Sequence, residues 1–164
     1  MREVVSNTGP ILHLGEAKLL KLLEQTGNVH IPQRVETELI ALDQAWQRPI
    51  WVIMHTLARP FAAEALAWQQ AGLLDPGEAE ALALARQLKA DWFLTDDTAA
   101  RLLAQNLGLE VHGSLGVVLW AAAIGHLDRP ATETSLDQLT KTSLWLSSRV
   151  LTEANRALDR LFPK

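Results

Sequence analysis

LDPGEAEALALARQLKADWFLTDDTAAR, residues 74–101, decides the fold. Asp75 stands where a helix N-cap belongs, Pro76 suits the first helical position, and Glu78 three residues on completes a capping-box pattern. The helix opened there is predicted to continue to Lys89. Trp92 to Thr95 follows as a short apolar strand, of the kind covered on both faces. Asp96 and Asp97 come straight after it, and then a second helix, Thr98 to Asn106, closed at Gly108. Helix, buried strand and helix in succession announce a parallel sheet with helices packed on it.

The flanking sequence repeats that alternation. Glu3 to Ser6 is a β-branched run that stops at the turn-like cluster Asn7-Thr8-Gly9-Pro10. AKLLKLL gives a helix between Glu16 and Glu24, ended by Gly27. Val29 to Ile31 is a second short strand, and Pro32 opens the helix Gln33 to Asp43. Ile50 to Met54 reads as a strand or an irregular apolar stretch. An alanine-rich helix runs from Pro60 to about Ala71. Glu110 to His112 makes a last brief strand, and Gly113-Ser114 leads into the helix Leu115 to Ile124. Beyond Gly125 two helices follow with no strand between them. The expected architecture is a three-layer α/β/α sandwich around a central parallel sheet, residues 1–127, with a C-terminal helical appendage, residues 128–164.

Composition bounds the function. The chain has 164 residues, 48% of them hydrophobic, which suits one globular domain with a sizeable core. It has no cysteine, which removes disulfides, thiolate metal sites and cysteine nucleophiles, and a reducing cytoplasm fits that. The N-terminal stretch offers no signal peptide, and no apolar run is long enough to span a membrane. A net charge of −4 argues against non-specific coating of nucleic acid, yet it is compatible with a nuclease whose carboxylates hold cations. The five histidines lack the close pairing of zinc sites, and there is neither a glycine-rich phosphate loop nor a serine nucleophile elbow. The six tryptophans are scattered without a repeat and read mostly as core or interface.

Four oxygen-bearing side chains, far apart in the chain, each follow an apolar run or open a helix: Asn7, Glu38, Glu78 and Asp97. In a parallel α/β fold such positions meet at the carboxyl ends of the strands, where oxygen donors would hold Mg²⁺ or Mn²⁺. Each has an ordinary explanation as well. Asn7 and Thr8 suit a turn or cap, Glu38 a surface pair with Arg34, and Glu78 the capping box. Asp96 beside Asp97 exceeds what one cap requires, and two adjacent carboxylates at a buried strand end call for a cation.

In combination the segments VVSNTGPILHL (4–14), VHIPQRVETEL (29–39), residues 74–101 and LEVHGSLGVVLWAAAIGHL (109–127) resemble the PIN domain, and within it the DUF3368 branch. The resemblance implies a metal-dependent ribonuclease fold of the kind found in prokaryotic toxins. It places Asn7, Glu38, Glu78 and Asp97 at four metal-site positions, with Asp96 close by in the catalytic cluster. Thr8 and Thr95 would orient ligands or water from behind. It further implies Mg²⁺ or Mn²⁺ as cofactor, RNA as substrate, hydrolysis leaving a 5′-phosphate and a 3′-hydroxyl, and a small antitoxin as partner. The first position is normally Asp, and Asn7 departs from it by removing one charge of attraction for the metal. Two other functions compete. One is a non-catalytic RNA- or protein-binding module using Arg149, Arg156, Arg160 and Lys164. The other is an α/β protein binding a phosphorylated small molecule in the same crevice. A homodimer through the face carrying Trp46, Trp51 and Trp68 is also expected, because aromatics are enriched at interfaces.

Overall fold

The computed structural model describes residues 1–163, so Lys164 lies outside the described residues. Five strands form one sheet: β1 (Glu3–Ser6), β2 (Asn28–Pro32), β3 (Val52–His55), β4 (Trp92–Leu94) and β5 (Glu110–His112). Their order is β3-β2-β1-β4-β5, and every pairing is parallel. The chain therefore starts in the middle, builds outward through β2 and β3, then returns to the other side of β1 for β4 and β5. Where the direction of building reverses, between β1 and β4, the connections leave to opposite sides and a crevice opens beyond the strand ends. Ser6 is in register with Leu94 at that place, and the Asn7 N–H extends the ladder by donating to the Leu94 carbonyl at 2.8 Å.

The helices are α1 (Thr8–Glu16), α2 (Leu20–Thr26), α3 (Gln33–Leu42), α4 (Arg59–Gln70), α5 (Pro76–Gln87), α6 (Thr98–Asn106), α7 (Ser114–Ala123), α8 (Arg129–Thr140) and α9 (Ser148–Leu161). The central sheet flanked by helices is the expected α/β sandwich. In α5, Ala79 and every residue from Ala81 to Ala85 are buried. A helix apolar on nearly all sides belongs inside, and its alanines let α4, β1 and β2 approach closely. Phe93 and Leu94 of β4 are likewise sealed on both faces.

Two local expectations differ from what forms. Asn7-Thr8-Gly9-Pro10 is the start of α1 and no free-standing turn, with Asn7 as its N-cap. Pro10 is tolerated because its missing N–H would have had no partner in the first helical turn. The helix expected from Glu16 to Glu24 is broken, since α1 stops at Glu16 and Lys18 takes a left-handed φ of 61° before α2 begins. The ambiguous stretch around Ile50 becomes the edge strand β3.

The C-terminal helices pack on α7, and α8 also touches α1. Arg129 secures the pair by donating to Glu133 at 2.9 Å, to Asp159 at 2.6 Å and to the Phe162 carbonyl at 3.1 Å. The connection between α8 and α9 is fixed to α1 through Ser143 Oγ, which donates to Glu16 at 2.5 Å. No helix among the described residues is long and apolar enough to cross a membrane. Trp46, Trp51 and Trp68 are partly buried against the core of their own chain.

Candidate active site

A crevice of about 660 Å³ opens at the carboxyl ends of β1 and β4. Asn7, Thr8, Glu38, Glu78, Asp96 and Asp97 all line it, together with His13. Five elements deliver these residues: the end of β1, α1, α3, the start of α5, and the segment after β4. Side chains up to 90 residues apart in sequence thus share one space because the switch point gathers the strand ends.

Asn7 is buried, its Oδ1 accepting the Thr8 N–H at 2.8 Å and its Nδ2 donating to Thr95 Oγ1 at 3.3 Å. Thr95, wholly buried, also accepts the Asp97 N–H at 3.1 Å. One hydroxyl therefore ties the strand end of β1 to that of β4. Asp97 caps α6, its Oδ2 accepting the Ala100 N–H at 2.9 Å.

Glu38 does not pair with Arg34. Arg34 instead lies 3.4 Å from Glu80, and Glu36 takes the Trp46 indole N–H at 3.3 Å. Glu38 turns inward, where Thr8 Oγ1 donates to its Oε2 at 2.5 Å. Its carboxylate lies against Gly77 in the first turn of α5, where the helix dipole favours negative charge. A Cβ on Gly77 would fall 2.3 Å from both Glu38 oxygens, so a glycine is needed for this approach. The sequence reading missed Gly77. Its second place in a capped helix was the available signal, but nothing local identifies the carboxylate that it admits.

Glu78 completes the capping box: its N–H donates to Asp75 Oδ1 at 2.8 Å, and its own Oε2 accepts the Asp75 N–H at 3.2 Å. Burial pushes its carboxyl up to about 7, and the negative charges of Asp75 and Asp97 add to that against the Asp75 N–H bond. Asp97 is therefore near enough to act on Glu78 across the crevice.

Asp96 and Asp97 divide their work. Asp96 turns away to His13 Nδ1 at 2.7 Å and takes two bonds from Ser114, from the N–H at 2.7 Å and from Oγ at 2.6 Å. Burial alone would raise the Asp96 carboxyl, but the bonds from His13 and Ser114 outweigh it and hold it below the usual carboxylate range. Here too a glycine makes room, since a Cβ on Gly113 would lie 2.7 Å from Asp96 Oδ1. His13 and Ser114 were not among the expected site residues. His112 stays outside, packed at a tilt against Trp92 with 4.2 Å between ring centroids.

With Asp96 occupied, Glu38, Asp75, Glu78 and Asp97 remain as the carboxylates lining the open space. Each uses one oxygen in the bonds described, leaving Glu38 Oε1, Asp75 Oδ2, Glu78 Oε1 and Asp97 Oδ1 outside any side-chain hydrogen bond among the described residues. Oxygen donors of this sort suit a hard divalent cation. Among the described residues, no three His, Cys, Asp or Glu side chains already surround a common point closely enough to hold an ion. The donor chemistry fits Mg²⁺ or Mn²⁺, while the ligand shell is not preformed.

Comparison with curated proteins finds no match. The family DUF3368, described as a PIN domain, matches residues 3–160, which includes both C-terminal helices as well as the sheet. PIN domains are generally nucleases and generally depend on divalent metal. With a match over nearly the whole length, the chain belongs to the DUF3368 family of PIN domains.

Proposed function

We propose that this protein is a Mg²⁺- or Mn²⁺-dependent endoribonuclease of the toxin-like kind. The observation that carries the reading is the convergence of Glu38, Glu78 and Asp97 on one crevice at the sheet's switch point. A divalent cation held there would polarise the scissile phosphate and activate a water for in-line attack. The chain's own residues set the stage for that chemistry. Thr8 orients Glu38, Asp75 positions Glu78, and Thr95 fixes the spacing between Asn7 and Asp97. Asp96, held by hydrogen bonds with His13 and Ser114, braces the wall behind them.

Asn7 supports a second reading, a non-catalytic binding module. Its amide is used on both sides, by Thr8 and by Thr95, and it brings no charge to a cation. Loss of a strong supporting contact costs on the order of 10–100-fold in metal affinity. Under the nuclease reading, the natural partner is an antitoxin segment that plugs the acidic crevice, and cytoplasmic homodimers are its expected form.

Mn²⁺ titration followed by thermal denaturation, with RNA cleavage measured in the presence and absence of chelator, tests the proposal. A metal that binds the folded state raises the midpoint. A raised midpoint with chelator-sensitive cleavage supports the nuclease. An unmoved midpoint with intact RNA at millimolar Mn²⁺ leaves the binding module.

A further inference from the structure

We propose that the connection between α8 and α9 forms a nucleobase slot beside the acidic crevice, with Trp145 as the stacking platform for a base next to the bound phosphate. The inference rests on the nuclease reading for the strand's presence and on separate observations for the slot. Trp145 is 82% exposed, whereas the other five tryptophans pack in or against the core. Its indole lines the crevice that holds Glu38, Glu78 and Asp97, and it also lines a second cavity of about 380 Å³ next to it. Leu144, Leu146 and Leu151 wall that cavity, and Thr140 and Thr142 add hydroxyl groups. Among the described residues its lining carries no charged side chain.

The chemistry of the two spaces differs, and so does what each accepts. A phosphate entering the crevice meets carboxylates and needs a cation to hold it. The strand must then draw affinity from contacts that carry no charge. An exposed indole over a neutral slot offers such a contact, because every base has a π face and stacking tolerates any sequence. The hydroxyl groups of Thr140 and Thr142 donate to the carbonyls of Asp137 and Leu139; Thr142 Oγ1 also accepts the Leu144 N–H at 3.2 Å, which leaves the Thr140 oxygen as the freer acceptor for a base edge. A cationic peptide side chain would find no carboxylate in this slot. A base within a duplex is stacked on both faces and unable to enter, while a base in a loop or single strand is free to splay onto an aromatic side chain.

The test uses the full chain with Trp145→Ala and Trp145→Phe. Binding of a labelled, unstructured RNA oligonucleotide and of its duplex is measured in Ca²⁺, and cleavage in Mn²⁺. Removing a stacking partner should weaken single-strand binding roughly 5- to 150-fold. Trp145→Phe should recover most of the loss, the thermal midpoints should agree across the three proteins, and the duplex should bind weakly and respond to neither change. Single-strand binding by Trp145→Ala equal to wild type overturns the slot. So does equal sensitivity on the duplex, or a wild type that binds no RNA. A wild type that binds the single strand through Trp145 but cleaves nothing in Mn²⁺ overturns the nuclease and leaves the slot standing.

Discussion

Replacing Glu78 with Gln separates the two tasks of that residue. The amide oxygen can still accept the Asp75 N–H, so the capping box survives. What disappears is a carboxylate charge in a half-buried place. Burial, with Asp75 and Asp97 adding, raises its carboxyl from the ordinary 4.5 to about 7. That displacement corresponds to about 3 kcal/mol between protonation states. Because the group is about half exposed, solvent screening reduces the share felt by the fold to about 1–1.5 kcal/mol. The sign follows from linkage. The folded chain holds a proton that the unfolded chain has released, so wild-type stability falls as pH rises from about 4.5 to about 7 and then levels. Metal-free Glu78→Gln should therefore melt like wild type near pH 4 and roughly 3–5 °C higher at pH 8. Saturating Mn²⁺ should reverse the order, because ion binding restores the wild type by about 2.7 kcal/mol at a hundredfold excess over the dissociation constant. Calorimetry at both pH values, with and without Mn²⁺, reads all four conditions. A Glu78→Gln midpoint at or below wild type at pH 8 without metal would refute the reasoning and leave Glu78 as a helix cap alone.

Asn7→Asp should raise Mn²⁺ affinity on the order of 10-fold, by isothermal titration, and increase cleavage; an unchanged affinity would count against a metal role for this position. Gly77→Ala should leave the melting temperature nearly unchanged, since helix propensity gains about 0.5–1 kcal/mol while the displaced Glu38 loses its contacts. The same variant should sharply weaken Mn²⁺ binding; unaltered binding would show that Glu38's position is immaterial. Ser114→Ala should cost about 1–2 kcal/mol in urea titrations above pH 5. That cost should shrink as the pH falls below the usual carboxylate range, because the lowered Asp96 carboxyl contributes stability only while ionised.

Much of the architecture was legible because local signals agreed with the final packing. Asp75, Pro76 and Glu78 mark the start of α5, and the apolar run Trp92 to Leu94 could only be a covered strand. The break at Lys18 was illegible, since a lysine gives no hint of a left-handed backbone. The start of α1 was hidden for a different reason: Asn, Thr, Gly and Pro serve turns and helix starts equally well. At the site, Asn7, Glu78 and Asp97 adjoin a strand or helix end and could be picked out there, whereas Glu38 lies in the middle of α3 and stood out through the family resemblance. How Asp96 would be occupied could not, because His13 and Ser114 approach it from sequence distances of 83 and 18 residues. Gly77 escaped for the same reason, as its value lies in a carboxylate from another helix.

Ser143, Leu144 and Trp145 give the crevice a wall built from the last quarter of the chain, held at its stem by Arg129. A truncation after Leu127 would spare every strand and every carboxylate of the crevice, and yet leave an acidic ledge where a cleft had been. Enclosure and charge come from separate stretches of the chain, so variants in residues 128–161 should alter which ligands are retained without touching the residues that would act on them.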